Sequence, residues 1–199
     1  EGLDFFAPET RFNVKGTVDQ LQYTTYRLAG YDFTATLEKH QLDASLLARN
    51  SAMEVQAHLD GKLRPNDVAA HLQVQVPKFD WQVMQLMDMP FRTSHQFNVT
   101  FVSDLKKKYE VNASMTDTSV KAPKKTFQTK DLYVGFTTSA DSTKAYMRAG
   151  DLDVNFEGRG YVETLLAQVD AFTSRAGEQW TSKTINQEEL KTLLPGVCL

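Results

Sequence analysis

The side chains that most often carry out chemistry are few in this sequence and are widely spaced. The four histidines, His40, His58, His71 and His95, fall in different predicted strands. No pair of them has the i,i+2 or i,i+4 spacing that would direct two imidazoles at one metal ion. We therefore interpret each histidine as an ordinary residue of a sheet.

The remaining residues with chemical potential are equally isolated. Asp151 and Asp153 would share a strand face and could hold a hard cation, but without further oxygen ligands nearby a solvated strand is the better interpretation. Cys198 is the single cysteine, which excludes an internal disulfide and a cysteine-based metal site. The sequence has no nucleophile elbow, phosphate-binding glycine loop or dinucleotide fingerprint. It thus predicts a protein that is not an enzyme and uses no cofactor or metal.

Length and composition describe a folded chain in contact with water. The 199 residues suffice for a core without disulfides, and 41% hydrophobic and 24% charged residues are typical of globular proteins. No window approaches the ~18 consecutive apolar residues of a membrane-spanning helix. The first residues, EGLDFFAPET, contain neither a starting methionine nor a secretion signal. We therefore expect residues 1–199 to be a single fragment of a longer protein whose export signal or anchor lies elsewhere.

The charge balance argues against nucleic acid as a partner. The formal net charge of -3 creates no general field that would attract a polyanion. Residues 104–125 are the exception, because their lysines outnumber their acidic residues; the lysines are Lys106, Lys107, Lys108, Lys121, Lys124 and Lys125. Two interpretations stay open, a solvated turn whose lysines protect a sheet edge and a contact with an anionic lipid surface or partner.

Strict alternation of apolar and polar residues dominates the sequence and predicts half-buried strands. The alternating positions are Phe12, Val14, Gly16 and Val18; Tyr31, Phe33, Ala35 and Leu37; Met53, Val55, Ala57 and Leu59; Ala70, Leu72, Val74 and Val76; His95, Phe97, Val99 and Phe101; Tyr109, Val111, Ala113 and Met115; Leu132, Val134 and Phe136; and Leu152, Val154 and Phe156. Short polar turns such as SDLKKK, KAPKK and SADSTK separate them. Tight turns leave no room for parallel crossovers, so we expect an antiparallel meander with one wet face.

Three segments have helical spacing. A short helix is predicted after the potential cap Asp80, a longer one over 161–172, and a third from Asn186, where Asn-x-x-Glu resembles a capping box before Pro195. Residues 159–199 would thus form a helical C-terminal part. The aromatic and methionine residues near the first of these helices suit either a core beneath the end of the sheet or a lipid-accommodating surface; they are Phe79, Trp81, Met84, Met87, Met89 and Phe91.

An internal echo suggests repeated sheet units. TYRLAGYDFTATL aligns with TFQTKDLYVGFTT, and each copy is followed by a strand that closes on an acidic-glycine turn, VQAHLDG and LDVNFEG. The two units span about 12–76 and 94–158. Repeated units of this kind are built to stack on their neighbours.

These runs carry a family resemblance. VKGTVDQLQYTTYRLAGYDFTATLEKHQLDASLLARNSAMEVQAHLDGKL and the later VKAPKKTFQTKDLYVGFTTSADSTKAYMRAGDLDVNFEGRGYVETLLAQVDAF resemble the AsmA and TamB (translocation and assembly module) group of periplasmic proteins, in the long form of the Bacteroidetes. The resemblance covers most of residues 12–175 and implies an elongated, curved, taco-like sheet with a hydrophobic concave face. It implies no catalytic residues.

The resemblance also implies a function and a place in the cell. It implies a non-enzymatic role in outer-membrane protein assembly or in phospholipid transport between membranes, in the periplasm and tethered to the inner membrane by a segment outside this chain. Partners would be phospholipid acyl chains, the assembly machinery and neighbouring segments of the full-length chain. The acyl chains would lie on the inward side chains, which are Tyr31, Phe33, Leu37, Val55, Leu59, Phe97, Val99, Phe101, Val134 and Phe136.

A compact alternative is also consistent with the sequence. In a lipocalin-like ligand-binding module, the 161–172 helix would plug the sheet and enclose a cavity. A helix packed over the apolar face would favour this alternative, whereas an open sheet would favour the groove.

Overall fold

The chain is mainly β. The structure is a computed structural model that describes residues 4–23, 26–28 and 30–193. In chain order, the elements within these residues are β1 (Phe12–Val18), β2 (Leu21–Tyr23), β3 (Tyr26–Leu28), β4 (Tyr31–Glu38), β5 (Gln41–Arg49), β6 (Met53–Arg64), β7 (Asp67–Asp80), β8 (Arg92–Ser103), β9 (Tyr109–Ala122), β10 (Lys125–Gln128), β11 (Leu132–Thr138), β12 (Ser142–Ala149), β13 (Leu152–Arg159), α1 (Val162–Ser182) and α2 (Gln187–Thr192).

Eleven of the described strands form one antiparallel sheet. Its order is β1-β4-β5-β6-β7-β8-β9-β11-β12-β13, with β10 paired to the outer part of β9, while β2 and β3 form a separate hairpin between β1 and β4. Sequence neighbours are therefore almost always sheet neighbours, as tight turns require. Within this sheet β1 and β13 end the strand order and do not pair with each other, so the sheet is open, and the predicted mainly β antiparallel architecture is confirmed.

One face of the sheet is apolar from edge to edge. Because directly paired residues project to the same side, the strand register defines three rows that cross the sheet. The rows are Phe12, Leu37, Leu42, Gly61, Ala70, Phe101, Val111, Phe136, Ala145 and Phe156; Val14, Ala35, Ala44, Leu59, Leu72, Val99, Ala113, Val134, Met147 and Val154; and Gly16, Phe33, Leu46, Ala57, Val74, Phe97, Met115, Leu132, Ala149 and Leu152. We call this side the apolar face.

The opposite side, the polar face, carries hydrogen-bonding and charged side chains. Its rows include Lys15, Thr34, Ser45, His58, Gln73, Asn98, Ser114, Tyr133, Arg148 and Asp153. Cross-strand ion pairs join neighbouring strands here: Lys144 Nζ lies 2.8 Å from Glu157 Oε1, and Arg148 Nε lies 3.3 Å from Asp153 Oδ1. Such exposed pairs contribute little stability but specify the register.

Three register irregularities lie side by side in the longest strands. They fall between Glu54 and Gln56, between Val76 and Phe79, and between Ser94 and Gln96. A bulge bends its strand and increases the local twist. Beyond this line, β7, β8 and β9 continue to one end of the sheet, where the β7–β8 loop and the β9–β10 turn are neighbours because Arg92 pairs with Lys121.

The prediction of a short helix after Asp80 is wrong. Asp80 does accept a cap-like hydrogen bond from the Val83 amide at 3.1 Å, but residues 81–86 form turns, in which the amides of both Leu86 and Met87 donate to the carbonyl of Trp81. Gln85 has a positive φ of 52°, which interrupts a right-handed helix. The apolar residues of this segment, although at helical spacing, thus belong to a compact loop.

The C-terminal helices are confirmed and their details differ from the prediction. α1 runs past Gly177 to Ser182, and α2 starts as predicted, with the Glu189 amide donating to Asn186 Oδ1 at 3.1 Å. The capping box is incomplete, because the Glu189 carboxylate accepts hydrogen bonds from Arg175 at 2.6 Å and from Gln179 at 2.9 Å. Leu194 and Pro195 lie outside the described residues.

The acidic-glycine pairs of the internal echo are not turns. Gly61 lies inside β6 and Gly158 inside β13. At Gly61 an added Cβ would lie 3.0 Å from the carbonyl oxygen of Ala69, so glycine permits close approach of the neighbouring strand. The two stretches nevertheless form comparable three-stranded meanders, β4–β6 and β11–β13.

Candidate functional site

The apolar face is the most extensive distinctive surface in the described part of the chain. Ten strands spaced by ~4.8 Å and three rows spaced by ~6.8 Å define an area of about 600 Å² between outermost Cα positions. That estimate already lies at the upper end of the largest apolar patches on soluble monomers, which reach roughly 300–600 Å². An apolar surface of this size marks a site for another hydrophobic molecule or surface.

Much of the apolar face is open to solvent. Leu37 is only 1% exposed, whereas Leu46 is 38%, Val134 is 39% and Val154 is 48% exposed. Leu37 is therefore covered, whereas exposed side chains occur along the three rows from β1 to β13. Beyond the rows, residues on the same side of the sheet are also buried; they are Ala48, Val68, Val76, Thr138 and Thr143. Phe5 contacts this face, since its ring meets that of Phe12 edge-on with centroids 6.2 Å apart.

The structure places all ten sequence-predicted groove residues on this one face. Nine of them are half-buried or exposed, and Leu37 is the buried exception. The placement follows from the geometry of a strand, in which successive side chains project to opposite faces. Predicted residues of one strand that are two or four positions apart therefore lie on the same face. These residues therefore share one surface.

Sequence reasoning missed several side chains of the same surface. They come from β5 and β12, whose alternation is less regular, and they include Leu42, Leu46, Ala145 and Met147. In β5 the adjacent pair Leu46 and Leu47 disguises the period, and in β12 Tyr146 occupies a polar-face position. The register to β4 and β11 is the signal that identifies them.

α1 does not cover the apolar face. Within the described residues it makes a small contact with α2, where Arg175 and Gln179 donate to Glu189, and it meets the sheet at its first turn, where the Val162 amide donates to Thr138 Oγ1 at 3.0 Å. Leu166 is 62% exposed and Trp180 is 78% exposed, so apolar side chains of α1 face solvent. The arrangement leaves the accessible part of the apolar face without a helical lid.

A second concavity lies on the polar face across β1 and β4–β7. It is an open hollow of about 720 Å³. Its polar-face side chains are Lys15, Thr17, Asp32, Thr34, Ser45, Leu47, Gln56, His58, Gln73 and Gln75. The hollow is also lined by four residues of the apolar rows, Gly16, Phe33, Leu46 and Ala57, so its surface combines polar and apolar groups.

The histidines lie apart in the sheet. His58 is 3.6 Å from Asp43 and His71 is 3.4 Å from Asp60, both on the polar face, and the ring of His40 is 2.9 Å from the Leu63 carbonyl. His95 lies on the apolar side, where burial lowers the pKa of its imidazole and its ring meets Phe97 edge-on. Among the described residues, no group of three or more metal-ligating side chains is close enough to hold an ion.

Asp80 is the most deeply buried carboxylate of the sheet's loop end. Burial opposes its ionisation, but hydrogen bonds from the Val83 amide and from Arg92 Nε at 2.6 Å, together with the Arg92 charge, outweigh that effect and lower the pKa of Asp80. Its role is structural, since it fixes the start of the β7–β8 loop to β8.

Comparisons with known proteins identify no relative. No protein-family model matches the chain, and neither curated proteins nor solved structures give a significant match. None of the helices in the described residues has both the length and the apolar character needed to cross a bilayer. The two faces of the sheet are therefore the features that bear on its function.

Proposed function

We propose that this chain is a non-enzymatic segment of a bacterial envelope protein whose apolar face holds phospholipid acyl chains. The observation that supports the proposal is the set of three uninterrupted apolar rows across ten strands, open to solvent over most of its width. Each methylene that an acyl chain buries there would contribute ~0.8 kcal/mol. The periplasmic location, the tether to the inner membrane and the role in phospholipid transport or outer-membrane protein assembly rest on the resemblance to the AsmA and TamB group.

The position of α1 favours this function over a lipocalin-like module. An enclosed ligand cavity would need a closed barrel or a helix seated on the apolar face. The described strands instead form an open sheet in which β1 and β13 do not pair with each other, and α1 makes a small contact with α2. A linear acyl chain suits a long open surface better than it suits an enclosed pocket.

Native mass spectrometry with lipid extraction tests the proposal. We expect the purified protein to retain phospholipid or to take up added phospholipid. The double variant Leu46→Asp and Val154→Asp places two charges on exposed positions of the apolar face, and we expect it to lose most of the bound lipid because a charge on that surface would be desolvated by the acyl chain.

A matched control uses the neighbouring residues on the other face. Ser45→Asp and Asn155→Asp introduce the same charges on the same two strands, but both positions lie on the polar face. This control should keep lipid at the wild-type level. Wild-type protein that is free of lipid and takes up none, or equal losses in the two double variants, would contradict the proposed function.

A further inference from the structure

The β7–β8 loop presents apolar side chains to solvent at one end of the sheet. Val83 is 44%, Leu86 is 59% and Met89 is 53% exposed, although all three belong to an ordered loop of residues 81–91. The base of the loop is a chain of edge-to-face contacts in which Trp81 meets Phe79 at 5.1 Å and Phe91 at 6.1 Å. The exposed side chains are thus the outward layer of a preformed structure.

Hydrogen bonds pair the backbone amides in the first half of this loop with groups in the loop or at its base. The Trp81 amide donates to the Phe91 carbonyl at 2.9 Å, the Met84 amide donates to the Asp80 carbonyl at 3.0 Å, and the Gln82 side chain donates to the Asp88 carbonyl at 3.3 Å. Trp81 Nε1 donates to Thr93 Oγ1 at 3.0 Å. Amides that are already paired in this way lose little when the loop enters a less polar medium.

A basic hairpin lies beside the apolar loop. Residues 121–130 contain four lysines and no acidic residue. Lys121 pairs directly with Arg92, where the β7–β8 loop ends, and exposed Lys124 and Lys125 follow in the β9–β10 turn and at the start of β10. Phe127, which is 46% exposed, adds an aromatic ring to the same hairpin. Buried Asp80 compensates the charge of Arg92, and the exposed Asp88 of the loop offsets one lysine, so Lys121, Lys124 and Lys125 leave this end of the sheet with a net positive charge.

The lysine-rich stretch of the sequence is divided between the two ends of β9. Lys106, Lys107 and Lys108 precede β9, whereas the second group, Lys121, Lys124 and Lys125, lies at its far end. Thirteen residues of extended chain separate Lys108 from Lys121 by about 40 Å. The first group lies in a turn whose amides bind Asp104, and Lys107 Nζ lies 4.8 Å from the centre of the Tyr161 ring.

We propose that the end of the sheet formed by the β7–β8 loop and the β9–β10 hairpin docks onto an anionic phospholipid bilayer. Val83, Leu86 and Met89 would enter the interface while Lys121, Lys124 and Lys125 meet lipid phosphate groups. Apolar insertion combined with a basic patch is the pair of signals that gives stable peripheral binding. The inference goes beyond the proposed function, since it concerns one end of the sheet and not the acyl-chain surface.

Sedimentation with vesicles tests the docking. The full chain is mixed with vesicles of phosphatidylcholine containing phosphatidylglycerol, and with vesicles of phosphatidylcholine alone. We expect binding to the anionic vesicles that weakens as salt is raised, and at least about tenfold weaker partitioning for Lys124→Gln with Lys125→Gln. Leu86→Ser with Met89→Ser should also weaken partitioning to both kinds of vesicle.

Matched variants at the opposite end distinguish this surface from a general effect of charge. Lys106→Gln with Lys108→Gln removes the same charge, and Leu105→Ser removes an apolar side chain that is 43% exposed in the same turn. These controls should bind as the wild type does. Equal weakening by the controls, or no binding of the wild type to anionic vesicles, would overturn the proposal.

Tryptophan fluorescence locates the contact independently of affinity. Trp81 and Trp180 are the two tryptophans of the chain. In a Trp180→Phe variant, anionic vesicles should shift the emission of Trp81 to shorter wavelength, whereas a Trp81→Phe variant should show no shift from Trp180. The reverse pattern would assign the contact to α1 and overturn the proposal. The Leu46→Asp with Val154→Asp variant should still bind vesicles, so failure of the acyl-chain function and failure of docking give different results.

Discussion

At the scale of single residues, His95 is a polar side chain at the margin of an apolar surface. It pairs with Val76 across the strands, and its ring centroid is 4.7 Å from that of Phe97. Burial lowers its pKa from the ordinary value of 6.5, so the folded protein favours the neutral imidazole. Protonation of His95 therefore opposes folding.

We expect this burial to make stability depend on pH. Between the lowered pKa of folded His95 and 6.5, the unfolded chain binds more protons than the folded one, so the free energy of unfolding should fall as pH decreases through that window. Urea unfolding of wild type and His95→Gln at several pH values measures the effect. The difference between the two proteins should change across the window, and His58→Gln on the polar face serves as the comparison. A constant difference would contradict this role.

Asp80 is the residue on which the β7–β8 loop depends. The carboxylate is buried, caps the turn at Val83 and receives the Arg92 guanidinium. We expect Asp80→Ala to destabilise the protein at neutral pH by roughly 2 kcal/mol, because it removes a cap and leaves Arg92 without its partner. Asp88→Ala, at an exposed position in the same loop, removes the same charge and should cost much less.

The lowered pKa of Asp80 determines how the stability difference between wild type and Asp80→Ala should change with pH. A carboxylate whose folded pKa is depressed stabilises the protein above its unfolded value of about 3.9, and that stabilisation is lost as pH falls through the folded pKa. The stability gap between wild type and Asp80→Ala should therefore narrow in strongly acidic solution. A gap that widens on acidification would show that the carboxylate is not the group responsible.

At the scale of elements, the join between the sheet and α1 is a relay of hydrogen bonds. The helix N-cap, Tyr161, makes no side-chain cap bond, and the Val162 amide instead donates to Thr138 Oγ1. Thr143 donates to the Gly160 carbonyl at 2.8 Å, so Thr138 donates in turn to Thr143, also at 2.8 Å. Both hydroxyls are buried, so a broken link leaves an unsatisfied polar group.

We expect Thr138→Val and Thr143→Val each to destabilise the protein by about 1–2 kcal/mol, because valine keeps the shape and removes the hydroxyl. The double variant should cost less than the sum, since the first change already breaks the relay. Thermal or urea unfolding measures the cycle, with Thr137→Val on the polar face as the control. Strict additivity would indicate that the two hydroxyls act separately.

The elements that the sequence predicts best are the strands with an undisturbed period of two. Phe97, Val99 and Phe101 alternate with polar residues, and β8 is found where they predict it. The alternation does not predict β5 and β12, because Leu47 and Tyr146 are apolar or aromatic residues at polar-face positions. The register with a neighbouring strand assigns such residues to the correct face, but that register is set by the assembled sheet and not by the strand's own sequence.

The β7–β8 loop shows the limit of spacing alone. Its apolar residues have helical spacing, yet the segment forms turns. Gln85 has a positive φ, and the Trp81 carbonyl accepts hydrogen bonds from the amides of both Leu86 and Met87. Likewise the sequence placed six lysines in one cluster, and only the length of β9 separates them. The sequence predicts which side chains share a face of the sheet. It does not predict the conformation of the β7–β8 loop or the separation of the lysines to the two ends of β9.

At the scale of the whole molecule, the sheet is a single layer with little interior. The buried hydrophobic residues of the described chain are Leu37, Ala48, Ala52, Val68, Val76 and Val120. A sheet normally buries its apolar side against a second layer. A ligand that covers the open rows would therefore supply part of the stabilisation that a second layer provides in other folds.

Lipid should accordingly stabilise the protein measurably. Binding to the folded state alone raises the free energy of unfolding by ~2.7 kcal/mol at a ligand concentration a hundredfold above Kd. We expect short-chain phospholipid below its micellar concentration to raise the melting temperature of the wild type and of the Ser45→Asp with Asn155→Asp control. An equal rise for Leu46→Asp with Val154→Asp would place the bound lipid away from the apolar face.

The strand order also has a kinetic consequence. From β4 to β9 each strand pairs with its immediate neighbour in the chain, so most pairings close short loops. Low contact order correlates with fast folding among small proteins, and all-β domains are usually slow because their pairings are distant in sequence. This meander can grow hairpin by hairpin from any early pair, and its longest-range steps are the β9–β11 pairing across β10 and the β1–β4 pairing across β2 and β3. The all-β composition is thus typical of slow folding, whereas the pairing of strands that are close in sequence is typical of fast folding. The strand order favours rapid, progressive assembly of the sheet.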